Sequence, residues 1–106
     1  MIAFEIQLNG KRLCVAGIGD LGTVTAIMTW VRRKAPPEGT TIPDWTAEEL
    51  NLHVGGIDSQ TNENLVWLRH ELQVGDAITV RVIETDSVDV PENRWPTNRP
   101  RATPSN

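Results

Sequence analysis

Apolar and polar residues alternate from Ile2 to Leu8, with Ile2, Phe4, Ile6 and Leu8 separated by Ala3, Glu5 and Gln7. This is the period of a strand with one buried face. Asn9-Gly10 follows, a pair that tolerates positive φ at both central positions of a two-residue turn. The pattern predicts a β-hairpin whose short loop sets the register: Leu8 opposite Lys11, Ile6 opposite Leu13, Phe4 opposite Val15 and Ile2 opposite Gly17. The other face then pairs Gln7 with Arg12, Glu5 with Cys14 and Ala3 with Ala16. That mixed face suits solvent, a second layer or another chain.

Residues 23–34, TVTAIMTWVRRK, carry two patterns. As a helix, Leu21, Val24, Ile27, Met28 and Val31 form a stripe, with Asp20 or Thr23 as the cap and Arg32-Arg33-Lys34 at the C-terminus. As a strand, the segment is rich in β-branched residues, with Thr23, Val24, Thr25, Ile27, Thr29 and Val31. The strand is favoured.

Three prolines and a glycine in residues 35–49 predict a long surface connection, inside which Thr46 and Glu49 have capping-box spacing. Leu50, Leu52 and Val54 alternate with Asn51 and His53 as a strand ending at Gly55-Gly56. The turn-rich stretch Asp58–Asn64 leads into LVWLRHEL, and Val74-Gly75-Asp76 leads into a last strand with Ile78, Val80 and Val82 facing in. Pro91, Pro96, Pro100 and Pro104 predict a tail without regular pairing. The sum is a mainly β fold of five to six antiparallel strands, a sandwich or partly open barrel; the alternative is α+β with a helix at 23–34 on an antiparallel sheet. Residues 1–90 form one globular domain, and 91–106 a proline-rich basic tail.

VAGIGDLGTV, residues 15–24, contains G-x-G-x-x-G after a strand, the fingerprint of a dinucleotide-binding turn. That chemistry needs a βαβ unit, with a helix N-terminus for the pyrophosphate and a second parallel strand carrying an acid for the ribose. KAPPEGTTIPDW follows instead, where proline opposes a strand, and the preceding strand is already committed to a hairpin. The glycines read as the end of one strand and a turn into the next, and no cofactor is expected.

Composition narrows the partners. The chain has 106 residues and a net charge of −4, distributed as −6 over residues 1–90 and +2 over 91–106. An acidic body without a basic face argues against nucleic acid. No run of residues has the length and apolarity of a membrane span or a secretory leader. The lone Cys14 closes no internal disulfide, and no spacing of Cys and His suggests zinc, so a cytoplasmic, metal-free protein is expected.

For catalysis, only Cys14 and His53 combine nucleophile and base character, with Asp58 as the group that would orient the imidazole. Glu5 opposite Cys14 would raise its pKa and oppose activation. Glu84, Asp86 and Asp89 read as a solvated strand end. Of the four tryptophans, Trp30 and Trp67 fall in regular segments and are expected in the core, whereas Trp45 and Trp95 fall in irregular ones and are candidates for docking.

RLCVAGIG, AIMTWVRR, LNLHVGGIDS and LQVGDAITVRVIE together resemble small uncharacterised bacterial proteins carried on mobile integron gene cassettes. The resemblance implies a stand-alone accessory protein and supplies no catalytic residues. The favoured reading is non-enzymatic: a protein-binding module that associates with itself through the Trp45 loop, the face around Arg12 and Cys14, and the tail with Arg94, Trp95 and Arg99. One alternative is a small-molecule binding protein or small hydrolase with a pocket between the sheet and the 35–49 loop. Another is an inhibitor or immunity-type binder of a foreign protein.

Overall fold

The computed structural model describes residues 1–33 and 47–97, and their regular structure is entirely β. Seven strands follow in order: β1 (Ile2–Leu8), β2 (Lys11–Gly17), β3 (Gly22–Arg33), β4 (Ala47–Asp58), β5 (Glu63–Glu71), β6 (Ile78–Glu84) and β7 (Asn93–Pro96). They form two antiparallel sheets, β2-β1-β6 and β3-β4-β5-β7. The helix at 23–34 is not formed. β3 pairs with β4 along its whole length, so tertiary pairing reinforces the β-branched preference of its residues. Glu49 lies in β4, which begins at Ala47, and Thr46 falls outside the described residues. Seven strands exceed the expected five to six by one, and β7 is a strand that proline content argued against. Pro96 is its last residue, where the missing N–H costs least. The tail therefore begins as part of the second sheet.

The two sheets share a core in which Ile6, Cys14 and Ala16 meet Leu52, Val54, Leu65, Trp67 and Leu72. Full burial of side chains such as Ile6, Leu52 and Val54 stabilises by about 1.5–3 kcal/mol each. β2 lies against β5, and β1 against β3.

The first hairpin turns as expected, with φ of 53° at Asn9 and 82° at Gly10. Its register is corrected by one residue. Leu8 faces Lys11 and Gln7 faces Arg12, but a bulge follows, so Ile6 faces Cys14, Glu5 faces Val15 and Phe4 faces Ala16. Cys14 thereby turns into the core, and Arg12 stays on the opposite face. The slip puts Ala3 and Gly17 on the face crossed by the segment after β6. A Cβ on Gly17 would stand 3.0 Å from both Ala3 Cβ and Val88 Cγ1.

The glycines of VAGIGDLGTV do not make a hairpin. β2 and β3 belong to different sheets, and none of Gly17, Gly19 and Gly22 has positive φ. Close approach is what demands glycine at position 22, where a Cβ would stand 2.5 Å from the Ile57 carbonyl oxygen. The strand expected to end at Gly55-Gly56 instead runs through to Asp58 with a bulge after Val54.

Candidate functional site

The residues with catalytic character lie apart. Cys14 is buried, and burial pushes its thiol up to about 11, with Asp89 adding to the shift and Arg12 opposing it. His53 lies on the face of the second sheet turned away from the first, across from Arg69. Burial and the Arg69 charge lower its pKa. The bare Cα of Gly55 makes room for its ring, since a Cβ there would stand 2.8 Å from His53 Cε1. Asp58 is five residues further along β4, about 16 Å at strand rise. Its Oδ1 accepts the backbone N–H groups of Gln60 at 2.9 Å and Thr61 at 3.4 Å. It orders a turn and does not orient the histidine.

Two open depressions mark the surface. One, of about 340 Å³, includes Leu50, Leu52, His53 and His70; the other, of about 330 Å³, lies between Phe4, Ile18 and Val24. Among the described residues, every buried side-chain nitrogen or oxygen has a hydrogen-bond partner, and no three potential metal ligands converge. The first depression is also lined by Glu48, Glu49, Arg69 and Glu71, so its rim is charged.

The expected interaction residues are largely engaged within the chain. Arg12 pairs with Asp89 at 3.9 Å, and Arg94 with Glu63 at 3.0 Å. Trp95 is on β7, facing Asn64, and 37% exposed. Trp45 and Arg99 lie outside the described residues. Asp89, expected in a solvated acidic run, is instead a clasp. Its backbone N–H donates to Val15 O at 2.9 Å, its Oδ2 accepts Val15 N–H at 2.8 Å, and its carbonyl accepts Trp67 Nε1–H at 2.8 Å.

That clasp draws attention to the sheet edges, because an open strand edge is a template for another chain. The β2 edge is covered by Asp89. β7 is only four residues long. β6 is seven residues long and carries Arg81 at its centre, paired with Glu5. β3 differs from all three. It has twelve residues, nothing among the described residues pairs with its far side, and no Asp, Glu, Lys or Arg occurs from Leu21 to Val31. Searches against known protein families, curated proteins and solved structures return no match.

β3 and β4 also outrun the seven-residue strands of the first sheet. Val24 and Ala26 pack on the core, but Met28 and Trp30, next on the same face, are 59% and 61% exposed. Trp30, expected in the core, is instead at the surface, where its indole N–H donates to Glu48 Oε2 at 2.9 Å. Arg12, Arg94 and Trp95, expected from the sequence at a contact surface, lie on other strands. The signal available was the charge-free β-branched run itself, yet its status as an edge depends on sheet order. No described helix is long and apolar enough to cross a membrane.

Proposed function

We propose that this is a non-catalytic protein-binding module, an open sandwich that works in a reducing compartment and associates with a second copy of itself through the β3 edge. The single observation carrying this reading is the long β3 edge, uncharged from Gly22 to Val31 and unpaired among the described residues, with Met28 and Trp30 exposed on it. A further chain there would satisfy backbone donors and acceptors and cover apolar surface at once. The separation of Cys14, His53 and Asp58 supports a role without catalysis.

Edge polarity supplies a clean test. Leu21 O accepts Ser59 N–H from the β4 side, so by antiparallel alternation the odd-numbered residues of β3 bond to β4. Val24, Ala26, Met28 and Trp30 direct their backbone groups outward. Ala26→Pro removes an outward donor only, whereas Thr25→Pro breaks the β3–β4 ladder. Light scattering at about 100 μM should give twice the chain mass for the native protein and the monomer mass for Ala26→Pro, with unchanged far-UV circular dichroism. A native protein that is monomeric there, or a foreign partner captured without self-association, overturns the reading.

A further inference from the structure

We infer that the two copies pair β3 with β3, antiparallel about a twofold axis beside Ile27; this rests on the self-association reading above. Such an axis, perpendicular to the sheet, would join two four-stranded sheets into one of eight. Outward-directed residues must face outward-directed residues to exchange hydrogen bonds, so even-numbered positions meet even-numbered ones. Two registers then overlap nearly the whole of β3. One is centred on Ile27 and the other on Met28.

The side chains choose between them. Centred on Ile27, the segment TVTAIMTWV is self-complementary: Ile27 faces Ile27, Ala26 faces Met28, Thr25 faces Thr29, Val24 faces Trp30 and Thr23 faces Val31. Of the exposed apolar side chains, Met28 and Trp30 each meet a smaller half-buried apolar residue on the same face, and the exposed Ile27 meets its own counterpart. The opposite face matches Thr with Thr and Ile with Ile, pairs that stabilise a ladder. Arg32 comes opposite Gly22, and Arg33 opposite Leu21, next to the exposed Asp20 of the second copy. Arg33, paired with Glu49 at 3.3 Å in its own chain, thereby comes near a second carboxylate. Centred on Met28, Arg32 would instead oppose Val24 on the apolar face, and Ile27 would lose its apolar partner to Thr29.

Ile27 directs its backbone toward β4, so in the new ladder it forms a non-hydrogen-bonded pair with its counterpart. Such pairs bring Cα atoms to about 4.5 Å, within disulfide reach. In a Cys14→Ala background, Ile27→Cys treated with diamide should form a covalent dimer at least about tenfold faster than Met28→Cys, whose counterparts are diagonal and beyond reach. A second pair guards against a local effect at Ile27. Chains carrying Thr25→Cys and Thr29→Cys should cross-link when mixed and not when oxidised separately.

Faster cross-linking of Met28→Cys overturns the Ile27 register. A protein that is dimeric by light scattering yet cross-links at none of these positions places the interface elsewhere, overturning this inference while self-association stands. A protein that is monomeric before oxidation removes both.

Discussion

At Cys14, burial decides the chemistry. A thiol whose pKa is about 11 holds very little thiolate near neutrality, and Asp89 strengthens the effect more than the exposed Arg12 offsets it. Ellman's reagent at pH 8 should therefore label the native protein on the order of 10²-fold more slowly than the chain in denaturant. Equal rates would show the thiol to be accessible and ionised. His53 offers the converse case of a base disfavoured in its charged form. Its folded pKa lies below 6.5, so the unfolded chain takes up a proton first as pH falls. The contribution of His53 is complete above about pH 6.5 and declines as pH drops from there toward the folded pKa. Denaturant midpoints at pH 7.5 and 5.5 should converge in His53→Gln relative to the native protein. An unchanged difference would assign the pH dependence to other groups.

Among the elements, the segment joining β6 to β7 does more than its composition suggests. Asp89 closes the β2 edge with two hydrogen bonds to Val15 and receives the Trp67 indole, so one residue ties the first sheet to the second. Asp89→Ala leaves the Val15 N–H without its carboxylate acceptor and should cost about 1–3 kcal/mol in chemical denaturation. Asp89→Asn, which retains an acceptor oxygen, should recover part of that loss. A loss of only a few tenths in Asp89→Ala would show that the backbone bonds alone hold the clasp. Glycine constraints are equally local. A Cβ on Gly56 would run into the Thr23 carbonyl oxygen, so Gly56→Ala should lower the thermal midpoint, whereas Gly19→Ala, with no atom within 4 Å of its new Cβ, should leave it nearly unchanged.

For the molecule as a whole, unequal strand lengths are decisive: twelve-residue β3 and β4 extend past a sheet of seven-residue strands and leave an apolar margin that is unpaired among the described residues. If that margin joins two copies, the thermal midpoint should rise with protein concentration, and Ala26→Pro should abolish the dependence. A midpoint independent of concentration in the native protein argues against association. Much of this fold was legible along the chain. Alternation located β1, the Leu50–Val54 part of β4 and β6, Asn9-Gly10 set the first turn, and the β-branched residues of 23–31 favoured the strand that formed, because these are properties of neighbouring residues. Tertiary structure decided what depends on distant ones. The bulge that turns Cys14 inward sets it among core residues of the other sheet, and the clasp at Asp89 requires β2 and Trp67 to come together. Trp30 is exposed only because the first sheet ends short of it, and β3 is an edge only because the strands are ordered as they are.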